Sequence, residues 1–213
     1  MNKDNNVKIQ PALDLLAQDG IALEKAAVEM LLLYVKLVEE WNESISLVSQ
    51  GDLEHLIERH VVDSLSLVPI VRKHCPQGGK LMDIGSGAGF PAIPIKIALP
   101  DVHLVLVERS DRKMGFLRKA VGDLRLANVT FRHGEFPGVA KGIAADVVTA
   151  RAVEDPKKLT RAILKTLTAG SVFVCQSGEA KGAKVETFHV EHVDDAWKAQ
   201  GLRRGEVDVV SRL

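Results

Sequence analysis

The stretch LMDIGSGAGFPAIP, residues 81 to 94, decides the fold class of this 213-residue chain. Three glycines, Gly85, Gly87 and Gly89, stand at alternate positions between a short apolar run and a segment that contains two prolines. Glycine adopts turns that other residues avoid, and it lets a ligand touch the backbone. A strand, a glycine-rich turn and a helix in this order are typical of the first unit of a nucleotide-binding α/β sheet.

Two features of the loop argue against a phosphate-bearing ligand. The dinucleotide pattern G-x-G-x-x-G requires a glycine where this chain has Phe90, and Pro91 after it has no backbone N–H to donate. The Lys-Ser/Thr pair of a P-loop is missing as well. We therefore expect a ligand without phosphate groups.

Two acidic residues near the loop indicate what that ligand is. Glu108 ends the next apolar run, where a carboxylate can accept hydrogen bonds from ribose hydroxyls, and Asp83 precedes the first glycine. A nucleoside with a positive centre and no phosphate satisfies these features, and S-adenosylmethionine is such a molecule. The alternative is a solvated Glu108 and glycines that serve only the turn.

The rest of the chain predicts an α/β protein with a helical N-terminal lobe. Apolar residues recur at three- and four-residue steps over residues 21–41 and 52–71, which predicts two helices. From residue 80 onward, strand-like and helix-like segments alternate, which predicts a mostly parallel, Rossmann-like sheet with helices on both faces. We place the helical lobe at residues 1–70 and the α/β domain at 71–213.

Composition and charge limit the possible functions. Lys plus Arg equals Asp plus Glu, 28 each, so nucleic-acid binding would require a local basic patch. No apolar run reaches the ~20 residues that span a bilayer, and the first ten residues lack the apolar core of a secretory signal. Cys75 and Cys175 are far apart, and the histidines are scattered except for His189 and His192. We expect a reduced, cytoplasmic protein without a metal site.

Several motifs in order resemble those of one known family. They are YVKLVEEWN at 34–42, ERHVVDSL at 58–65, the glycine loop through Pro100, VERSDRKMGFLRKAV at 107–121, NV at 128–129 and VVTARAV at 147–153. Over residues 20 to 180 the chain is similar to the bacterial 16S ribosomal RNA (guanine-N7) methyltransferases, also called glucose-inhibited division protein B.

The resemblance implies a seven-stranded class I methyltransferase domain that uses S-adenosylmethionine to methylate a guanine N7 in small-subunit ribosomal RNA. It implies that Gly85 and Phe90 line the methionine and nucleoside parts of the cofactor, and that Gly134 and Glu135 lie near the adenine. Arg151 matches an arginine that closes the fourth strand, and two roles stay open for it: contact with guanine O6 or a phosphate, or pairing with an acidic neighbour that shapes the pocket. With the loop residues, the candidate cofactor-binding positions are Asp83, Gly85, Gly87, Gly89, Phe90, Glu108, Gly134, Glu135 and Arg151.

The implied chemistry agrees with the absence of an obvious catalytic dyad. Guanine N7 carries an in-plane lone pair and no proton, so its attack on a sulfonium methyl group needs alignment and no general base. Residues 150–153 read Ala-Arg-Ala-Val, where enzymes that methylate exocyclic amines have Asn/Asp-Pro-Pro-aromatic. Both cysteines are interpreted as structural, because neither stands where a nucleophile is expected.

An RNA substrate would be held by basic residues near the site. The candidate RNA-binding residues are Arg59, His60, Arg112, Lys113, Arg118, Lys119 and Arg151. Arg112 and Lys119 are seven residues apart on one predicted helix, as are Arg118 and Arg125, so each pair shares a side. The alternative is that these are solvated helix faces. The expected partner is small-subunit ribosomal RNA or a subunit assembly intermediate, bound by a monomer.

Two other functions stay open. Neutral charge permits a methyltransferase that acts on a protein or a small molecule. A catalytically silent RNA-binding module is the other alternative, because residues 45–48 and 176–178 depart from the family's pattern.

Overall fold

The fold is given by a computed structural model, which describes residues 3–75, 77–151, 156–176, 188–203 and 205–212. Its N-terminal part is helical. The elements are α1 (Lys3–Gln18), α2 (Lys25–Asn42), α3 (Gln50–Leu53), a π-helical segment (Ile57–Val62), α4 (Asp63–Leu65) and α5 (Val68–His74). The helix predicted at 21–41 is confirmed as α2. One continuous helix over 52–71 is wrong, because the π-helical segment and short breaks divide it.

Helix α1 was not predicted from the sequence. It begins with polar residues and contains Pro11, which removes one backbone donor from the helix interior. Its buried side chains, Ile9, Ala12, Leu15 and Leu16, pack in the main apolar core. The apolar stripe of α1 is therefore what stabilises it, against an unfavourable local sequence.

The second part is the α/β sheet predicted from residue 80 onward. Its elements are β1 (Lys80–Ile84), α6 (Ala92–Ala98), β2 (His103–Glu108), α7 (Asp111–Asp123), β3 (Val129–His133), a 3₁₀ turn (Gly138–Ala140), β4 (Val147–Ala150), α8 (Pro156–Thr166), β5 (Val172–Gln176), β6 (Phe188–His192), α9 (Ala196–Ala199) and β7 (Val207–Arg212). Within the described residues, the predicted alternation of strands and helices is confirmed from β1 to β5, except that a 3₁₀ turn replaces a helix between β3 and β4.

Among the described residues, seven strands form one sheet in the order β3-β2-β1-β4-β5-β7-β6. The strands β1 to β5 are parallel to one another, whereas β7 runs antiparallel to both β5 and β6. The fold class is therefore confirmed: it is a Rossmann-like α/β sheet in which β7 is the one antiparallel strand among those described. The ligand crevice of such a sheet lies at the carboxyl ends of the parallel strands.

Two apolar clusters cover the two faces of the sheet. Leu104 and Leu106 of β2 pack in the larger cluster, with the N-terminal helices, α6 and α7. Val105 and Val107 of the same strand point to the smaller cluster, which includes α8. The N-terminal helices thus share one core with the sheet, and the domain boundary at residue 70 stays a prediction.

Candidate active site

A cleft of about 640 Å³ opens at the carboxyl ends of β1, β2 and β4. One side, the sheet wall, consists of the loop at 85–88 together with Glu108 and residues 134–135. The other side, the lobe wall, consists of residues 47–49, Asp52 and His60. The remaining lining residues are Ile84, Phe90, Val107, Arg109, Lys113, Phe136, Pro137, Arg151, Lys158, Leu159 and Ala162.

The glycine loop turns over the end of β2. The backbone N–H groups of Gly85 and Ser86 both donate to the carbonyl of Val107, at 2.8 and 3.1 Å. Gly85 and Gly87 have φ angles of +70° and +54°, a backbone region that favours glycine. The turn leaves their backbone exposed to the cleft, as expected from the sequence.

Glu108 is tied to this loop. Its Oε2 accepts from the N–H of Gly87, and its Oε1 accepts from the N–H of Ser110, both at 2.8 Å. The residue is only 6% exposed and lines the cleft. A carboxylate oxygen has two acceptor positions, so each oxygen retains one for a ligand hydroxyl.

Two predicted cofactor residues, Gly89 and Asp83, do not line the cleft. A Cβ on Gly89 would lie 2.6 Å from Cδ1 of Ile93 and 2.9 Å from the hydroxyl of Tyr34, and the residue has a φ of +90°. Gly89 is therefore required by close packing of the loop against its own helix and α2. Its assignment as a cofactor contact is not supported by this geometry.

Asp83 lies behind the loop, 1% exposed. Its Oδ1 accepts from the hydroxyl of Thr149 at 2.7 Å, and its Oδ2 has no hydrogen-bond partner. Burial raises the pKa of Asp83 to about 6, against the lowering effect of the Thr149 and Ser86 hydrogen bonds and the nearby Arg151. Because Asp83 does not line the cleft, it can affect a bound ligand only indirectly, through the glycine loop that lies between them.

Phe90 is held between aromatic and cationic groups. Its ring lies 5.0 Å from that of Tyr34, and the imidazole of His60 stacks on it at 4.9 Å. The guanidinium of Arg151 lies 5.5 Å from the same ring. The hydroxyl of Tyr34 donates to the carbonyl of Ala88, which joins α2 to the glycine loop. Phe90 lines the cleft and also connects the two walls, while its contact with the cofactor stays a prediction.

Arg151 is engaged by the lobe. It donates to Oδ2 of Asp63 at 3.0 Å and to Nδ1 of His60 at 2.6 Å. Asp63 is 4% exposed and also accepts from the side-chain amide of Gln176 at 3.1 Å. Because Arg151 donates to Nδ1, the proton of the neutral imidazole lies on Nε2, which is 3.9 Å from Oδ2 of Asp52.

Gly134 and Glu135 lie in the sheet wall, and their place near the adenine stays a prediction. The N–H of Gly134 donates to the backbone carbonyl of Glu108 at 3.0 Å, so the loop after β3 lies beside the end of β2. A Cβ on Gly134 would meet Cγ1 of Val139 at 2.5 Å, and its φ is +134°. Glycine is therefore needed here for the loop to close on the 3₁₀ turn.

The predicted RNA-binding residues fall into three groups. Arg59 and Lys119 contact acidic side chains, at Asp52 and Asp123. His60 and Arg151 form the lobe network, and Lys113 lines the cleft. Arg112 and Arg118 are exposed on α7.

Several cleft residues were not predicted from the sequence. Leu47 and Val48 lie in a stretch that seemed only a departure from the family pattern. Their N–H groups donate to Oδ1 of Asn42, at 2.8 and 2.9 Å, so the Trp-Asn motif holds this loop against the cleft. Asp52 and Lys158 were also missed, because neither belongs to a recognisable motif.

Within the described ranges, no helix is long and apolar enough to cross a membrane. The same ranges contain no group of three or more His, Cys, Asp or Glu side chains placed to hold a metal ion. Both cysteines are buried, and burial raises the pKa of Cys75 to about 11. Residues 177 and 178, which depart from the family pattern, lie outside the described residues.

A family model described as rRNA small subunit methyltransferase G, GidB, matches residues 27–205. The chain belongs to this family. The ribosomal RNA small subunit methyltransferase G of Geobacter sp. (strain M21) is 36% identical over 184 residues, 84% of this chain and 83% of that protein. Its counterpart in Nitrosomonas eutropha is 34% identical over 179 residues, 84% and 81% of the two chains.

Solved structures support the fold. A methyltransferase from Geobacter sulfurreducens is 15% identical with a TM-score of 0.60, covering 87% of this chain and 88% of that one. A mutant MtNAS in complex with S-adenosylmethionine is 16% identical with a TM-score of 0.60, covering 97% and 91%. At these identities the likeness concerns the fold alone.

Proposed function

We propose that this protein methylates N7 of a guanine in small-subunit ribosomal RNA, with S-adenosylmethionine as methyl donor and without a general base. Membership of the methyltransferase G family supports the reaction class and the RNA substrate. The observation that carries the proposal is the hydrogen bond from Gly87 to Glu108. It joins a glycine loop that lacks the dinucleotide and P-loop patterns to a buried carboxylate at the cleft.

The residues of the sheet wall fit S-adenosylmethionine. The remaining acceptor positions of Glu108 suit the two ribose hydroxyls, and the open backbone of Gly85 and Gly87 suits a ligand that lies close to the loop. Residues 134 and 135 would border the adenine. When bound, S-adenosylmethionine supplies an electrophilic methyl group on a positively charged sulfur.

The chain itself would contribute alignment and a suitable electrostatic environment. Guanine N7 becomes positively charged as it gains the methyl group, so an uncompensated cation beside it would slow the reaction. Asp63, 3.0 Å from Arg151, compensates that charge. The lobe network can therefore shape the cleft around the base without opposing the developing charge.

His60 is the candidate to orient the base. Arg151 donates to its Nδ1, which holds the imidazole in one orientation where the residue lines the cleft. The ring would border the guanine and limit the orientations in which its N7 can face the cofactor. Arg151, which the sequence suggested for contact with O6, is directed to Asp63 and His60.

The partner and cellular location remain part of the proposal. We place the protein in the cytoplasm as a monomer that acts on small-subunit RNA or on a partly assembled subunit. The target base must be unstacked or looped out, because the major groove of an RNA helix is deep and narrow.

The test is transfer of labelled methyl from S-adenosylmethionine to small-subunit RNA that lacks the modification, as naked RNA and within the subunit. We expect label at guanine N7, and none on RNA that is already methylated. Label in a protein or a small molecule with inert RNA would favour the first alternative. Absence of cofactor binding by calorimetry would favour a silent RNA-binding module.

A further inference from the structure

The charge of this neutral chain is separated along the sequence. Residues 109–133 contain seven Lys or Arg and two Asp or Glu, a net charge of +5. Residues 156–176 contain four Lys or Arg and no acidic residue, a net charge of +4. The remaining residues therefore carry −9, since the whole chain is neutral. Each basic segment contains one helix, α7 or α8.

These two helices lie on opposite faces of the sheet and both begin at the cleft. Helix α7 follows β2 and packs in the larger apolar cluster through Phe116 and Leu117. Helix α8 lies between β4 and β5 and packs in the other cluster through Ile163 and Leu164. Since α7 and α8 both precede a return to a parallel strand, each starts at the carboxyl edge of the sheet.

One lysine from each helix reaches the cleft. Lys113 lies in the first turn of α7 and Lys158 in the first turn of α8, and both line it. Further basic residues continue away from the cleft along each helix. On α8, Arg161 and Lys165 are exposed and stand three and seven positions after Lys158, so the three share one side.

On α7 the exposed basic residues are Arg112, Arg118 and Lys119, of which Lys119 is paired with Asp123. The guanidinium of Arg118 lies 4.7 Å from the centre of the ring of Phe131, a residue of β3. This cation–π contact holds the guanidinium group against the strand. The same side of α7 carries Gly115 and Gly122, and a Cβ on either would meet nothing within 4 Å. Because glycine has no side chain, no bulky group stands beside the basic side chains at these two positions along the ~20 Å helix.

We propose that α7 and α8 form a two-sided grip on the RNA backbone, with the target base entering the cleft between them. The proposal rests on the proposed function and names where its substrate is held. Phosphates would contact Arg112 and Arg118 on one side and Arg161 and Lys165 on the other. Arg59 and Lys119 are not part of this grip, since Asp52 and Asp123 already compensate their charges.

The competing explanation is that these side chains only solvate helix faces and protect the edge strand β3 from pairing with other chains. The two explanations differ in salt dependence. Each contact with a phosphate of a single strand contributes about 0.7 to the slope of log Kd against log salt concentration. Solvating residues contribute no such increment.

The experiment compares three double variants, each of which loses two positive charges. They are Arg112→Gln/Arg118→Gln on α7, Arg161→Gln/Lys165→Gln on α8, and the control Lys36→Gln/Lys73→Gln, at two exposed lysines of α2 and α5. The Kd for unmodified small-subunit RNA, naked and within the subunit, is measured from about 0.05 to 0.3 M salt. Calorimetry with S-adenosylmethionine and thermal unfolding are measured on the same samples.

We expect each helix variant to weaken RNA binding about 10-fold at 0.15 M salt and to lower the slope by about 1.4. Combining the two should lower it by about 2.8, with cofactor affinity and melting temperature unchanged. An effect from only one helix would overturn the two-sided grip. An equal effect from the control pair on α2 and α5 would replace it with diffuse attraction. If the parent binds the cofactor and no RNA, the proposed function itself fails, and the grip fails with it.

Discussion

The sheet wall and the lobe wall of the cleft border the same space and are built differently. In the sheet wall, the hydrogen bonds involve backbone groups: two N–H groups donate to Glu108, and the glycine loop donates to the carbonyl of Val107. In the lobe wall, side chains bond to side chains, as in the contacts among His60, Arg151 and Asp63. The first wall depends on local chain geometry, and the second depends on partners 88 and 91 residues apart. Damage to the lobe wall should therefore affect folding, and damage to the sheet wall should affect cofactor binding.

The largest effect is expected from Asp63→Ala. It leaves the largely buried Arg151 guanidinium without its carboxylate, and breaking a buried pair by removing one partner costs about 4 kcal/mol. Chemical denaturation should show this loss in the free energy of unfolding. Asp52→Ala is the control, because it removes a more exposed carboxylate of the lobe wall that does not bond to Arg151 in the contacts given above. A loss below about 1 kcal/mol for Asp63→Ala would mean that the network is not a source of stability.

Behind the sheet wall, Asp83 should make stability depend on pH. Its folded pKa, about 6, is above the usual value of 3.8, so the unfolded state releases its proton first as pH rises. The contribution is complete below pH 3.8 and is lost by about pH 6, a loss on the order of 3 kcal/mol. Asp83→Asn should abolish this component of the slope between pH 4 and 6. The exposed Asp101→Asn should retain the slope of the parent, and an unchanged slope in Asp83→Asn would contradict the assignment.

These two walls also explain how much could be predicted from the sequence. The glycine turn, β1, β2 and the position of Glu108 at the end of β2 were predicted correctly, because spacing along the chain fixes where a turn and the end of the next strand lie. An acidic partner for Arg151 was one of two alternatives, but Asp63 was not identified as that partner, because hydrogen bonds between distant residues leave no pattern in the sequence. The sequence predicted a regular helix where the π-helical segment lies. This segment contains His60 and ends directly before Asp63, so its wider turns decide where both side chains point.

Glycines show the same limit on a smaller scale. Gly85, Gly87 and Gly89 look alike in the sequence, and all three have positive φ. Gly85 and Gly87 line the cleft, whereas the space beside Gly89 is filled by Ile93 and Tyr34. The pattern predicts the turn, and only the packed structure separates a residue that faces a ligand from one that faces the core.

For the sheet wall, Glu108→Ala should weaken S-adenosylmethionine binding about 30-fold, a loss of about 2 kcal/mol. The expected cause is the loss of hydrogen bonds from the ribose hydroxyls to a charged acceptor. Calorimetry measures the affinity, and Asp111→Ala is the control, since that nearby carboxylate is 92% exposed and does not line the cleft. Cofactor affinity equal to that of the parent in Glu108→Ala would exclude the proposed ribose contact.

The smallest effect is expected from Asn42→Ala, which tests whether hydrogen bonds to backbone groups also hold part of the lobe wall in place. Asn42 accepts hydrogen bonds from the N–H groups of Leu47 and Val48, the arrangement that most resembles the sheet wall. Asn42→Ala should cost about 1 kcal/mol and should increase hydrogen exchange at those two amides, because both donors lose their acceptor. Asn42→Asp keeps a carboxyl oxygen in the same place and should preserve their protection. If both variants leave exchange at Leu47 and Val48 unchanged, the loop is held by its apolar contacts, and the contrast between the two walls is complete.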